Sequence, residues 1–168
     1  MTELSALDRL QIMELQSAYA WAIDGRAADE FAHVFTADVD ANYIEFVRLT
    51  GVNGVARWME AFHAPFDSSQ HLISNHWLRV DGSRVIYRSY VQVRLMLSGY
   101  PGGEMLSSGA YYLDRVARTD SGWRISAREV RNMWRTGNRE LIEIGRQAAN
   151  TLDLGTAGDR LDSESARQ

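Results

Sequence analysis

An acid occupies an unusual position at the end of the first amphipathic segment of this sequence. In YAWAIDGRAADEFAHVF, residues 19–35, a helical pattern is interrupted at Gly25, and Asp24 comes directly before the interruption. A helix C-terminus carries partial negative charge and favours Lys, Arg or His over an acid. Asp24 is therefore either a solvated residue of an ordinary turn, with Gly25 in the left-handed conformation, or a carboxylate that a neighbouring group requires.

The residue that could require this carboxylate is His71, in the segment QHLISNHWLRV. A neutral imidazole whose Nδ1–H is held by a carboxylate has a fixed tautomer and a free, more basic Nε2. These are the properties of a general base that works near neutral pH. The carboxylate also stabilises the imidazolium that forms when the proton arrives. A single histidine on a strand is also a common structural residue, so the chemistry alone leaves both interpretations open.

The other histidines form no metal site in the sequence pattern. His33 is predicted on a helix surface, His63 at a helix C-terminus, and His76 on the opposite face of a regular strand from His71. The chain has no cysteine, and no set of His, Asp and Glu residues has the spacing of metal ligands. We therefore expect no bound metal.

The composition is that of a globular protein. Hydrophobic residues make up 45% of the 168 residues and charged residues 24%. The formal net charge of -4 argues against a nucleic-acid partner, and no apolar run reaches the length of a membrane span. The N-terminus, MTELSALDRLQ, lacks the basic and apolar regions of a signal peptide, so we expect a cytoplasmic protein without a membrane partner.

The periodicity predicts one α+β domain over residues 1–150. Helical spacing over 5–23, about 27–35 and 51–64 gives three helices, with a strand and turn between the second and third. From residue 70 the apolar period changes to two and predicts four long antiparallel strands, followed by a short helix near 138–150. Residues 151–168 are polar and rich in Gly and Ser, and we expect this tail to be disordered.

At this point the chain resembles the nuclear-transport-factor-2-like superfamily and its SnoaL-like branch. The resemblance covers roughly residues 5–135 and is carried by YAWAIDGRAADEFAHVFTAD, QHLISNHWLRVDG, GAYYLDRVARTDSGWRI and REVRNMW. It is nearest to the scytalone dehydratase, bile-acid dehydratase and hexachlorocyclohexane dehydrochlorinase group. It implies a cone-shaped α+β barrel in which three N-terminal helices pack into a highly curved antiparallel sheet.

The same resemblance implies a catalytic site that uses no metal and no cofactor. Asp24 and His71 match the carboxylate and the histidine base of those lyases, while Tyr19, Tyr43 and Arg131 match residues that face the substrate. Tyr19 lies about 140° around a continuous helix from Asp24, so it is either a core residue or a substrate contact.

Arg131 also has two interpretations. An arginine that faces a cavity needs an anionic or carbonyl partner, so Arg131 either binds a substrate oxygen or holds Glu129 or Glu45.

The sequence therefore predicts a lyase of the dehydratase type that removes a proton from a small apolar organic substrate. The substrate class is polycyclic, steroid-like or aromatic-polyketide. One alternative is a ketosteroid-isomerase-like isomerase or a polyketide cyclase, in which Asp24 would act directly on the substrate. Another is a non-catalytic ligand-binding or oxygenase β-subunit-like module. An apolar pocket with His71 and Asp24 in contact favours the enzyme, and a filled cone favours the module.

The long strands also predict self-association. The segment RVIYRSYVQVRLML carries apolar residues on both alternating faces, such as Val85 and Val91 on one and Ile86 and Tyr90 on the other. A sheet of this kind needs cover on both faces. We expect a homodimer or homotrimer that buries the convex face.

Overall fold

The computed structural model describes residues 3–43 and 47–152. Within these ranges the chain forms four α-helices: α1 (Ala6–Asp24), α2 (Phe31–Val34), α3 (Val52–His63) and α4 (Glu140–Asn150). The same ranges hold six strands: β1 (Phe35–Tyr43), β2 (Val47–Thr50), β3 (Ser68–Asp81), β4 (Arg84–Met96), β5 (Met105–Thr119) and β6 (Gly122–Gly137). The predicted tail lies outside the described residues, apart from Thr151 and Leu152.

A reciprocal cap fixes the start of α1. The hydroxyl of Ser5 accepts a hydrogen bond from the backbone N–H of Asp8 at 3.1 Å, and the Asp8 carboxylate accepts one from the Ser5 N–H at 3.2 Å. The indole N–H of Trp123, on β6, donates to the same carboxylate at 2.9 Å. The helix is thus tied to the sheet at its first turn, which sets where its other end, with Asp24, must lie.

The strands form one sheet in the order β2-β1-β6-β5-β4-β3. Strands β3 to β6 make the predicted antiparallel meander, and β1 and β2 form an antiparallel pair. The fold class predicted from the sequence is confirmed, with one difference. Strand β1 pairs with β6, the last strand of the meander, and the two strands run in the same direction, so this pairing is parallel.

Two bulges interrupt the pairing of β5 with β6. The register shifts between Arg115 and Val116 and again between Gly109 and Ala110. A bulge bends a strand and increases its twist, which closes the sheet around the helices. At the second bulge a side chain on Gly109 would collide with the ring of Trp134, because a Cβ placed there would lie 2.3 Å from it.

The predicted second helix is shorter than the sequence indicated. Residues 27–35 contain a single 3-10 turn at Ala28–Glu30 and the one-turn helix α2, and Phe35 already belongs to β1. The remaining helices pack in the hollow of the sheet and bury one continuous apolar core. Its largest fully buried apolar side chains are Tyr19, Tyr87, Phe31, Phe35, Ile12 and Ile125.

Candidate functional site

The carboxylate of Asp24 is bonded to His71. The Nδ1–H of His71 donates to Oδ1 at 2.7 Å, and the backbone N–H of the same residue donates to Oδ2 at 2.7 Å. The hydroxyl of Ser69 donates to Oδ1 at 2.8 Å. Because a carboxylate can only accept, Nδ1 carries a proton, and in the neutral imidazole Nε2 therefore has the free lone pair. The His71 side chain is 5% exposed and that of Asp24 is 20% exposed.

The end of a helix and the start of a strand bring these residues together. Asp24 is the last residue of α1. His71 is the fourth residue of β3, which begins at Ser68. Gly25 is not in the left-handed conformation, since its φ is -83°, and the positive φ of this turn belongs to Arg26. The ordinary Asp-Gly turn with a left-handed glycine is therefore not what ends this helix.

The hydrogen bonds keep Asp24 ionised. Burial alone would raise the pKa of this carboxyl, but the hydrogen bonds and charge of His71 and the Ser69 hydroxyl outweigh burial and lower it. The pair therefore has the electrostatic form of a histidine base with a carboxylate partner.

The imidazole of His71 forms part of the wall of a cavity inside the cone. The cavity has a volume of about 120 Å³ and is lined mostly by apolar and aromatic side chains. Asn132 is an exposed member of the lining and marks the side that opens to solvent. Its polar and tyrosine lining residues are Tyr19, Tyr43, His63, His71, Ser108, Tyr112, Asn132 and Arg135.

Two tyrosines meet at the inner end of the cavity. The hydroxyls of Tyr19 and Tyr43 lie 3.2 Å apart, and the ring of Tyr19 is 6.3 Å from that of His71, centroid to centroid. Burial raises the pKa of both phenols, so both stay protonated. The hydroxyl of Tyr112 also hydrogen-bonds to that of Tyr19. Three hydroxyls that make two bonds among themselves keep one hydrogen for an acceptor in the cavity.

A buried arginine lies beneath the tyrosines. The guanidinium of Arg128 is 4.2 Å from the ring centroid of Tyr19 and 4.0 Å from that of Tyr112. Arg128 forms a two-pronged ion pair with Asp114 at 2.9 and 2.7 Å, and Gln16 bonds to both partners. Its Nη1 has no hydrogen-bond partner among the described residues. The inner end of the cavity is therefore backed by the Arg128–Asp114 ion pair, whose cation contacts the rings of Tyr19 and Tyr112.

Arg131 lies outside this cavity, contrary to the sequence prediction. It occupies the outer face of the sheet and forms an ion pair with Glu129, which was the alternative raised for it. The reason is a bulge in β6. Ala127 pairs with Arg115 and Ile125 pairs with the next residue, Val116, so Ser126 between them has no partner on β5. Residues after the bulge change face, so Arg128 points inward. The structure thus brings together Asp24, His71, Tyr19 and Tyr43 and excludes Arg131.

Several polar residues in the cavity wall or directly behind it were not identified from the sequence. Arg128 carried no local signal, because only the bulge turns it inward. Asn132 and Arg135 line the cavity from the last strand, and Ser108 does so from β5. His63 had been assigned only to a helix end, yet it is 6% exposed and its ring lies 5.8 Å from that of His71.

His63 is held in its neutral form. Burial lowers its pKa to about 4, helped by the charge of His71 and by Arg26.

Among residues 3–43 and 47–152, no three His, Asp or Glu side chains are grouped closely enough to hold a metal ion. A search of the same residues finds no helix with the length and apolar character needed to cross a membrane.

Comparison with known proteins identifies the family. A model of the SnoaL-like domain matches residues 4–129, so this protein belongs to the SnoaL-like family. The uncharacterised protein Rv2910c of Mycobacterium tuberculosis is 33% identical over 125 residues, which are 72% of this chain and 82% of that protein. The uncharacterised protein Mb2934c of Mycobacterium bovis matches over the same length with the same identity.

Solved structures share the fold at low identity. The protein Kfla4162 of Kribbella flavida aligns with a TM-score of 0.75 and 21% identity, covering 82% of this chain and 97% of that one. A candidate scytalone dehydratase of Novosphingobium aromaticivorans gives 0.70 and 21%, covering 79% and 89%. The hexachlorocyclohexane dehydrochlorinase LinA-type3 of Novosphingobium barchaimii gives 0.69 and 21%, covering 80% and 95%. At this identity the similarity concerns the fold.

Proposed function

We propose that this SnoaL-like protein is a cofactor-independent lyase of the dehydratase type, with His71 as the general base and Asp24 as its orienting partner. The observation that carries the proposal is the 2.7 Å hydrogen bond between Nδ1 of His71 and Oδ1 of Asp24 in the wall of an apolar cavity. The bond fixes the tautomer with Nε2 unprotonated, and the ionised carboxylate stabilises the imidazolium that forms during the reaction. Two solved relatives of the fold have names that describe eliminations.

The reaction is an elimination next to a carbonyl group. Nε2 of His71 takes the proton from the carbon beside the carbonyl, and the electron pair of that C–H bond forms a new C=C bond. The bond from the neighbouring carbon to the leaving group breaks. A hydroxide leaving group departs with its electron pair and takes up the proton from the imidazolium as water, whereas chloride departs as the anion and the imidazolium then releases its proton to solvent; either path restores the neutral histidine.

Tyr19 and Tyr43 have the second role in this proposal. Removal of the proton shifts negative charge to the carbonyl oxygen, and the free hydroxyl hydrogen of the three bonded tyrosines can donate to it. The Arg128 cation behind the Tyr19 ring stabilises the same charge through the low-dielectric interior. The Tyr19 and His71 rings are in edge-to-face contact, with 6.3 Å between their centroids, so the base and the hydroxyl donor lie side by side in the cavity wall.

The cavity limits the size of the substrate that it encloses. An apolar cavity of roughly 150 Å³ holds one benzene ring. A cavity of about 120 Å³ that is open on one side therefore encloses about one ring. We propose a cyclic ketone whose reactive ring is enclosed, and any further ring of a polycyclic substrate extends past Asn132 into the mouth.

The two alternatives raised from the sequence are less well supported. An isomerase that uses Asp24 directly on the substrate needs a free carboxylate, but both oxygens of Asp24 already accept hydrogen bonds from Ser69 or His71. A non-catalytic module with a filled cone has no space for a ligand, whereas this cone contains an open cavity beside the pair.

The test is the formation of an elimination product from cyclic ketones. β-Hydroxyindanone and β-chloroindanone each give indenone, with loss of water or of hydrogen chloride, which mass spectrometry detects. We expect turnover of at least one of them in the presence of EDTA, and a loss of about 10² to 10⁴-fold in His71→Ala. If both ketones stay intact with the folded protein, or if EDTA abolishes turnover and zinc restores it, the proposal is wrong.

A further inference from the structure

A second imidazole faces the cavity beside the proposed base. His63 is the last residue of α3, lines the cavity, and has its ring centroid 5.8 Å from that of His71. Its ring also packs against Phe62 and Phe66, at 5.1 and 6.4 Å. A phenyl ring would pack against these neighbours in the same way, so the packing alone does not account for an imidazole.

The hydrogen bonding of His63 determines what its ring can offer. Nδ1 lies 2.8 Å from the backbone carbonyl oxygen of Met59, which can only accept, so Nδ1 carries the proton. Nε2 is then the unprotonated nitrogen, and no group among the described residues bonds to it. With Nδ1 committed to its own helix, His63 can only accept a further hydrogen bond, through Nε2, and cannot donate one. Because burial keeps the ring neutral, this polarity holds at ordinary pH.

We propose that Nε2 of His63 is a hydroxyl-binding group that selects substrates carrying an alcohol next to the proton that His71 removes. A hydroxyl can donate its hydrogen to this nitrogen, whereas a halogen or an ether oxygen has no hydrogen to give. His63 therefore favours a β-hydroxy ketone over a β-halo ketone. The assignment of water as the leaving group rests on the proposed function. The preference for a hydroxyl group is a property of binding and does not depend on that function.

The two histidines act on different atoms of the leaving hydroxyl group. The hydroxyl hydrogen points to Nε2 of His63, which leaves the lone pairs of the oxygen free toward His71. After His71 has taken the carbon-bound proton, the C–O bond breaks, and the departing oxygen takes that proton from the imidazolium. Water leaves with both hydrogens, and both histidines return to their neutral forms. His63 is a specificity residue that contacts the substrate and does not itself transfer a proton.

The test measures binding of indanol and its methyl ether, methoxyindane, to the full-length protein by calorimetry or NMR titration. Neither compound has a carbonyl, so neither is turned over, and the result does not depend on the proposed reaction. The readout is the ratio of the two dissociation constants, in which the effects of ring size and apolar contact cancel. We expect His63→Phe to reduce the preference for the alcohol about five-fold, which corresponds to one neutral hydrogen bond.

A second measurement needs no variant. In wild-type protein labelled with nitrogen-15 at histidine, indanol should shift the Nε2 resonance of His63, and methoxyindane should not. An unchanged ratio in folded His63→Phe, an unshifted Nε2 resonance, or a wild-type protein that shows no preference for the alcohol would overturn the proposal. Failure of the proposed function would instead appear as intact ketones in the product experiment, so the two failures are distinguishable.

Discussion

The carboxylate of Asp24 lies where the end of a helix alone would disfavour it. The partial negative charge at the C-terminus of α1 repels an acid, but three donors from β3 meet the carboxylate within 2.8 Å. Charge-assisted bonds of this kind are stronger than neutral ones. The position of Asp24 is therefore explained by the partner strand, and the same bonds leave His71 with one defined tautomer.

His63 makes stability depend on pH. Its pKa falls from 6.5 to about 4 on folding, so between these values the unfolded chain binds a proton that the folded chain does not. The contribution of His63 to the free energy of unfolding should therefore be constant well above pH 6.5 and fall on acidification, by on the order of 3 kcal/mol by pH 4. Urea unfolding at several pH values measures this, with His63→Phe as the control.

Asp24 makes stability depend on pH only in a more acidic range. Its folded pKa lies below 3.8, so the stability it contributes is present above that value and is lost only as pH falls further. A stability profile that falls equally in wild type and in His63→Phe between pH 6.5 and 4 would show that His63 is not the group responsible.

The sequence predicted some of these residues and not others for a physical reason. Asp24 and His71 stand at the end of a regular helix and the start of a regular strand, so their positions follow from the boundaries of the elements. The side that Arg131 faces depends on a single extra residue in β6, and a bulge of one residue reverses the alternation that periodicity assumes. For His63 the sequence predicted only a position at a helix C-terminus, because the cavity beside it arises from packing between distant parts of the chain.

At the scale of elements, one buried network joins α1 to the two central strands. Gln16 of α1 bonds to both Asp114 of β5 and Arg128 of β6, and the side chains of the ion pair are fully buried. Removing one partner of such a pair leaves an uncompensated charge in the interior. We therefore expect Asp114→Ala to reduce the free energy of unfolding by about 3 to 5 kcal/mol, measured by urea denaturation.

Gln16→Ala is the matched control for this network. It removes the hydrogen bonds of Gln16 to the two charged groups but leaves the ion pair in place, so it should cost roughly 1 to 3 kcal/mol. If Asp114→Ala costs no more than Gln16→Ala, the buried ion pair does not hold these elements together.

The long elements were predictable and the short ones were not. Helices α1 and α3 and strands β3 to β6 have many turns or pleats over which a period repeats, and the prediction placed each of them. Helix α2 is a single turn, so it has no period to detect, and the predicted helix ran into what is strand β1. The parallel pairing of β1 with β6 is a contact between distant parts of the chain, which local patterns do not encode.

At the scale of the whole molecule, the outer face of the sheet carries an apolar patch. The patch consists of Trp77, Tyr90 and Met133, which are 45%, 49% and 55% exposed, and it borders the ion pair of Arg131 with Glu129. A surface that contains both apolar groups and charges of both signs can face a second copy of itself. We propose that this patch is the interface of a homo-oligomer.

Light scattering at micromolar concentration tests the interface. We expect the wild-type protein to be a dimer or trimer and Tyr90→Glu to be monomeric, because an unpaired charge would be buried in the contact. Leu7→Glu is the matched control, since Leu7 is a 64% exposed apolar residue on α1, away from the patch. A monomeric wild type, or an oligomer that Tyr90→Glu leaves intact, would contradict this interface.

Proton abstraction by His71 can be measured without any leaving group. Indanone in D₂O exchanges the hydrogens beside its carbonyl, and NMR follows the exchange after the buffer rate is subtracted. The account predicts that His71→Ala and Asp24→Asn each lose about 10² to 10⁴-fold of the catalysed exchange, with the protein folded by circular dichroism. The double variant should be little worse than His71→Ala, because the two residues act through one another. A folded His71→Ala that keeps more than about a third of the exchange rate would show that His71 is not the base.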